Sequence, residues 1–123
     1  MKWFFASDLP IYSQLIEQIK VAIVTRTFAP GDRLPSVRDL STEAGVNPNT
    51  MQRALTELER EGLLISGGTS GRTVTTDETV LSTMRQEILR QLARECAEKF
   101  KVFGLNPAQA AALLAELESE EMQ

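Results

Sequence analysis

The chain has 123 residues, 42% of them hydrophobic, and a formal net charge of −4. This length suits one domain, or a small domain with an oligomerisation segment, and it allows only a modest core. The single cysteine excludes an internal disulfide, and the chain has no histidine. Because no base accompanies Cys96 and no carboxylates pair in an apolar setting, we expect neither an enzyme nor a cofactor or metal site.

The N-terminal segment MKWFFASDLP is too short in apolar residues for a signal peptide or a membrane span, which predicts a cytoplasmic protein. We expect Trp3, Phe4 and Phe5 to pack on the C-terminal tail or on a partner subunit, with base stacking as the weaker alternative. A helix capped by Asp8 and ending near Thr27 should follow. Its core stripe repeats every fourth residue: Ile11, Leu15, Ile19 and Ile23.

Two short helices hinged on a glycine are predicted next. Ser36 is the expected N-cap of the first helix, and Gly45 ends it in the left-handed conformation. Asn47 and Pro48 begin the second helix as its N-cap and first residue. This layout is typical of a helix-turn-helix.

The second of these helices has two distinct faces. Four apolar residues share the arc that should face the core: Met51, Ala54, Leu55 and Leu58. The opposite arc holds Asn49, Gln52, Arg53 and Thr56, and no acid precedes Glu57 in this helix. Amides suit adenine, arginine suits guanine or phosphate, and hydroxyls suit the backbone, so this face predicts DNA readout. The alternative is a solvated face, which would normally mix Glu and Lys.

A two-stranded hairpin is predicted after Gly62, with strands at residues 63–66 and 72–75. The glycine-rich tip between them can approach a sugar-phosphate backbone closely, and Arg72 lies beside it. A nucleotide-binding loop is excluded because no Lys-Ser or Lys-Thr pair follows the glycines and no helix begins there.

Two amphipathic helices are predicted from about residue 77 onward, separated by Gly104, and the second should start at Asn106 and Pro107 with Gln109 as a capping partner. Their apolar faces exceed what one small domain can cover, so we expect a second copy to cover them; a tail folded back on its own domain is the alternative. Cys96 is interpreted as a small buried residue rather than a redox sensor. The predicted dimerisation residues are Leu81, Met84, Ile88, Leu92, Phe100, Phe103, Leu113 and Leu117.

The negative charge lies in this tail. Residues 11–75 contain seven basic and seven acidic side chains, whereas residues 76–123 contain five basic and nine acidic ones. The predicted DNA-binding region is therefore neutral, and we expect few phosphate contacts and a shallow salt dependence.

The segment GDRLPSVRDLSTEAGVNPNTMQRALTELEREGLL closely resembles the DNA-binding domain of the GntR family of bacterial transcription regulators, and the resemblance extends from about Pro10 to Val74. The short helical tail is most similar to the YtrA subfamily. The resemblance implies a mainly α-helical fold with a small β-hairpin. Residues 1–76 would form a winged helix-turn-helix DNA-binding domain, and residues 77–123 a two-helix dimerisation tail.

The resemblance also implies that Arg38 contacts DNA and that the helix N-terminus at Ser36 meets a phosphate, in keeping with its free N–H donors. For Arg33 two alternatives stay equally open: a contact with DNA phosphate, or an ion pair with Asp32 or with an acid of the tail. Relatives often carry basic residues where Pro48, Gln52, Gly68 and Thr69 stand here, which leaves the bases read undetermined. The predicted DNA-binding set is Arg33, Ser36, Arg38, Asn47, Asn49, Thr50, Gln52, Arg53, Gly71 and Arg72.

These features together predict a homodimeric transcription regulator, a repressor that occupies an inverted-repeat operator on double-stranded DNA. A small-molecule effector bound at the subunit interface is left open as a further partner, and the sequence does not identify it. The alternative from another class is a winged-helix protein–protein interaction module that assembles a complex through its tail and does not read DNA.

Overall fold

The computed structural model describes residues 1–121 and every side chain in that range except that of Ser70. The chain forms two compact units, Met1–Arg85 and the part that begins at Gln86. Within the described range, no helix is long and apolar enough to cross a bilayer. In chain order the elements are α1 (Ile11–Val24), α2 (Val37–Ala44), α3 (Pro48–Arg60), β1 (Leu64–Ser66), a 3₁₀ turn (Gly68–Ser70), β2 (Arg72–Val74), α4 (Glu78–Lys101) and α5 (Pro107–Glu121).

The core of the first unit is formed by the apolar stripes that the sequence predicts. Burial of each of these large side chains stabilises the fold by about 1.5–3 kcal/mol. The predicted mainly helical fold with a small antiparallel hairpin is confirmed. The fully buried residues are Leu15, Ile19, Ile23, Leu40, Met51, Leu55, Leu58, Leu63, Leu64 and Val74.

Side-chain caps fix both helices of the helix-turn-helix, as predicted. The Ser36 hydroxyl accepts the N–H of Asp39 at 3.1 Å, and the Asn47 side-chain oxygen accepts the N–H of Asn49 at 2.8 Å. Gly45 ends α2 with φ +71°, a conformation that glycine adopts without steric cost. These contacts set the angle at which α3 leaves the turn.

The predicted ends of α1 were wrong. The helix begins after Pro10, so Asp8 is not its cap, and no side chain caps this end. The helix ends at Val24, short of Thr27, because Arg26 takes a left-handed backbone conformation with φ +63°. Its side chain pairs with Glu78 at 3.2 Å.

Two glutamine side chains of α1 hold the N-terminal arm, residues 1–6. The Gln14 amide accepts the N–H of Ala6 and donates to its carbonyl, at 2.7 and 3.0 Å. The Gln18 amide does the same for Phe4, at 3.1 and 2.6 Å. Side chains one helical turn apart thus satisfy alternate backbone groups of an arm that has no regular secondary structure.

The aromatic residues of this arm do not behave as one group. Trp3 and Phe5 stack with ring centroids 6.1 Å apart, and the Trp3 indole donates to Glu43 of α2 at 3.2 Å. Trp3 therefore contacts residues of the first unit, whereas the sequence analysis expected it on the tail or on a partner subunit, and the second alternative stays a prediction. The Phe4 side chain is almost fully exposed.

The hairpin lies beside the start of α2. Its strands are antiparallel, with Leu64 opposite Val74 and Ser66 opposite Arg72. The segment before α2 joins this sheet through a bridge between Arg33 and Thr73, and the Leu34 N–H donates to the Arg72 carbonyl at 2.9 Å. This pairing holds the wing next to the N-terminus of α2.

Helix α4 begins in the first unit and continues into the second. Leu81 and Met84 are buried, 6% and 8% exposed, and both lie within the first unit. Both side chains are covered within the single chain in this conformation, and their part in dimerisation stays a prediction. The apolar period of α4 identified a buried face but not what buries it.

The second unit contains the rest of α4 and helix α5. Asn106 and Gln109 cap α5 reciprocally, as predicted, with bonds of 2.8 and 2.9 Å between the side chain of each residue and the backbone N–H of the other. Ile88, Cys96 and Phe100 are half-buried. Many other apolar side chains of this unit are exposed: Leu89, Leu92, Val102, Phe103, Leu113, Leu114 and Leu117.

Candidate nucleic-acid interface

The outer arc of α3 is exposed to solvent. Asn49, Gln52, Arg53 and Thr56 are exposed, and Thr50 is half-buried. Asn47 is also exposed, but its side-chain oxygen is already engaged in the cap. The arc therefore presents two amides, one hydroxyl and one guanidinium, the donor and acceptor types that read base edges.

The acids of α3 lie in its C-terminal half and at its C-cap, and each is neutralised. Arg60 keeps the pKa of Glu57 below its ordinary value, first through their hydrogen bond and then through its charge, so Glu57 is ionised at neutral pH. Glu57 in turn raises the pKa of Arg60. The pairs are Glu57 with Arg60, Glu59 with Arg72, and Glu61 with Lys20 at 3.0 Å.

These pairs divide the seven basic side chains of residues 11–75 into two groups. Four are ion-paired: Lys20, Arg26, Arg60 and Arg72. Within residues 1–121, no ion pair is made by the other three, Arg33, Arg38 and Arg53. Unpaired cations attract an anionic partner with little internal competition, so these three are the candidates for phosphate or base contacts.

A groove of about 500 Å³ separates the wing tip from the start of α2. Arg33 lies along it, and a β-carbon added to Gly71, whose φ is +80°, would lie 3.4 Å from the Arg33 Nε atom. The predicted alternative pairing of Arg33 with Asp32 is absent from the described chain, because the Asp32 carboxylate accepts the N–H of Ala29 at 2.9 Å. The N-terminus of α2 at Ser36 also lines the groove, whereas the Asp39 carboxylate partly offsets its positive potential.

Arg72, predicted to contact DNA beside the wing tip, makes an ion pair that the sequence did not predict. Its side chain is only 18% exposed and is ion-paired with Glu59. The pair joins β2 to α3 and so fixes the wing against the recognition helix. Sequence order could not reveal it, because the two residues lie on different elements of the fold.

Arg38 is the second residue of α2, and its side chain is exposed. No hydrogen bond of its side chain is found in the described part of the chain. Its guanidinium is thus available beside the groove-lining N-terminus of α2.

Tyr12 is a residue that the sequence did not single out. The Arg53 guanidinium lies over its ring, 4.6 Å from the centroid, which is cation–π geometry. The sequence signal was weak: Tyr12 is the one residue with a polar tip in an otherwise aliphatic stripe of α1.

A helix-turn-helix followed by a paired hairpin, with an amide-rich exposed arc and unpaired arginines around it, defines a winged helix-turn-helix DNA-binding protein. Residues 11–74 match the family described as bacterial regulatory proteins, gntR family. The chain belongs to the GntR family.

Two curated relatives come from Bacillus subtilis. The HTH-type transcriptional regulator YhcF is 33% identical over 101 residues, which cover 82% of this chain and 84% of YhcF. The HTH-type transcriptional repressor YtrA is 50% identical over 58 residues, which cover 47% of this chain and 45% of YtrA. The predicted resemblance to YtrA-type GntR regulators is therefore confirmed.

Solved structures have the same fold. A GntR family transcriptional regulator from Listeria monocytogenes superposes with a TM-score of 0.83 at 33% identity, covering 91% of this chain and 98% of that one. The DNA-binding domain of AraR in complex with operator ORX1 superposes with a TM-score of 0.56 at 28% identity, covering 61% of this chain and 96% of that one. Family, relatives and fold are those of DNA-binding transcription regulators, not of enzymes.

Proposed function

We propose that this protein is a cytoplasmic repressor that binds an inverted-repeat operator as a homodimer. The observation that carries the proposal is the division of charge: three arginines have no ion-pair partner in the described chain, while the acids of α3 are all neutralised. A surface of this kind favours a negatively charged ligand even though the whole chain is acidic.

In this proposal the exposed arc of α3 enters the major groove. Asn49 and Gln52 supply amides that can bind adenine edges, and Arg53 supplies donors for guanine or phosphate. Arg38 and Arg33, with the N-terminus of α2 at Ser36, hold the DNA backbone. The backbone of the wing tip at Gly71 approaches the flanking phosphates.

The exposed apolar side chains of the second unit support dimerisation. Leu92 and Leu117 are more than half exposed, and Phe103 is 82% exposed. Exposed apolar side chains clustered in one small helical unit are typical of an interaction surface. A second copy is the simplest partner, since a two-fold pair would offer two copies of α3 to two half-sites.

Two relatives support the proposals that the protein binds an operator and that it represses transcription. YtrA of Bacillus subtilis is named as a repressor, and the AraR DNA-binding domain is described in complex with an operator. A repressor needs no further activity of its own, because a dimer bound over a promoter excludes polymerase.

The test is a selection of bound sequences from a random DNA pool with the full chain. We expect an inverted repeat whose half-sites are centred about one helical turn apart, roughly 10 base pairs. Sedimentation at the concentration of the binding assay should give a dimer, and Leu117→Glu should shift it toward the monomer because it places a charge in the apolar surface. A selected pool without sequence preference would contradict the proposal.

Single substitutions then locate the interface on the selected operator. Arg38→Ala and Asn49→Ala should each weaken binding by about tenfold or more, because each removes one DNA contact from both protomers. Arg90→Ala removes the same charge as Arg38→Ala from an exposed position of the second unit and should leave affinity within about twofold. With three cations per protomer, the slope of log K against log salt should be about −5 for the dimer.

A further inference from the structure

Arg53 has a natural ion-pair partner that it does not use. Glu57 lies four residues later on α3, a spacing that places two side chains next to each other on a helix. Both oxygens of Glu57 are instead occupied by Arg60, whose Nε donates to Oε2 at 2.8 Å and whose Nη2 donates to Oε1. The bidentate pair therefore keeps the nearest carboxylate of α3 away from Arg53.

The side chain of Arg53 is placed by Tyr12 instead. Its guanidinium lies 4.6 Å above the ring centroid of this α1 residue. A cation over a ring is restricted in orientation but keeps its full charge, unlike a cation bound to a carboxylate. The N–H donors of a guanidinium lie in its own plane, where they can bind a planar pair of acceptors.

We propose that Tyr12 is a positioning residue for DNA recognition, which holds Arg53 ready for an acceptor pair on DNA while Arg60 keeps Glu57 occupied. This inference rests on the proposed function. The acceptor pair is either two phosphate oxygens or the O6 and N7 atoms of a guanine, since both groups accept two parallel N–H bonds.

A double-mutant cycle on the selected operator tests the inference. Arg53→Gln should weaken binding by roughly tenfold. Tyr12→Leu should weaken it by about two- to fivefold, the range expected for loss of an exposed cation–π contact. In the Arg53→Gln background, Tyr12→Leu should have no further effect, because Tyr12 acts only through that arginine. Full additivity of the two losses would overturn the inference.

A second set of variants separates positioning from simple packing between α1 and α3. Tyr12→Phe keeps the ring and should bind within about twofold of the original chain. Arg60→Gln leaves Tyr12 intact but releases Glu57, so Arg53 should pair with it and binding should fall by about two- to fivefold. Adding Glu57→Gln to Arg60→Gln should restore binding, because no carboxylate then competes. Failure of this restoration would count against the inference even if Tyr12→Leu were poorly folded.

The same measurements distinguish the two acceptors and the two ways of failing. If Arg53 binds phosphate, Arg53→Gln lowers the magnitude of the dimer's salt slope by about two, because one contact is lost from each protomer; if it binds guanine, base preference relaxes at one position of each half-site. If the unsubstituted protein binds no DNA, both the proposed function and this inference are wrong. If the unsubstituted protein binds specifically and through Arg53, but the double-mutant cycle is additive, only this inference is wrong.

Discussion

The two halves of the recognition helix are built differently. Residues 48–54 contain one charge, Arg53, and their polar side chains are exposed apart from Thr50, which is half-buried. Residues 55–61 contain three acids, and each is paired with a cation from α3 itself, from β2 or from α1. One half is bound into the fold through its charges, and the other is left clear of acids.

The difference shows how a chain with a net charge of −4 can still serve as a DNA reader. Acids at the C-terminal half of α3 are harmless to DNA binding because neighbouring cations neutralise them where they stand. They also attach α3 to the wing and to α1, which fixes the direction of the readout half. Local placement of charge, rather than net charge, decides what this surface attracts.

The largest expected effect comes from the apolar stripe that both halves share. Leu58→Ala should lower the free energy of unfolding by about 2–5 kcal/mol, because Leu58 is fully buried and its loss leaves a cavity. Urea unfolding measures this change. Thr56→Ala, at an exposed position of the same helix, should change stability by less than about 0.5 kcal/mol. Equal losses for the two variants would show that α3 is not packed as described.

The next largest effect should come from an acid placed in the half of α3 that has none, residues 48–54. Gln52→Glu should weaken binding to the selected operator by tenfold or more, because it brings a carboxylate toward phosphates and removes an amide donor. Gln91→Glu adds the same charge to an exposed site of the second unit and should stay within about twofold. Anisotropy titrations measure both, and unchanged affinity for Gln52→Glu would exclude this arc from the interface.

The smallest effect should come from breaking one ion pair of the C-terminal half of α3, the pair of Glu59 with Arg72. Glu59→Gln should lower the free energy of unfolding by about 1 kcal/mol, because it leaves the mostly buried Arg72 without its carboxylate. Glu78→Gln breaks the exposed pair with Arg26 and should cost less than about 0.5 kcal/mol. If thermal or urea unfolding gave the opposite order, Arg72 would not hold the wing as we describe.

Most of the fold could be predicted because its signals are local. The caps Ser36 and Asn47, the glycine turn at Gly45 and the capping pair of Asn106 with Gln109 each depend on residues within one helical turn. The apolar periods likewise identified which faces are buried. The start of α1 was missed because Asp8 is a plausible capping residue, whereas Pro10 occupies the N-cap position and supplies no side-chain cap.

The site was predictable as a surface but not as a set of interactions. Periodicity separates the exposed arc of α3 from its buried stripe, and this was enough to predict that Asn49 and Gln52 are exposed. Whether an arginine is free, stacked or paired depends on elements far apart in sequence, such as Tyr12 with Arg53 and Glu59 with Arg72. For the same reason, the apolar period of α4 predicted that Leu81 and Met84 are buried but not that the chain itself buries them.

The pairing of four cations with acids of the same chain also has a kinetic consequence. Random chromosomal DNA holds a protein through charge alone, so three arginines per protomer give only brief residence on it at physiological ionic strength. On the proposed function, the dimer would search by frequent release and recapture rather than by long sliding. It would dwell only where base-edge contacts add to those few charges.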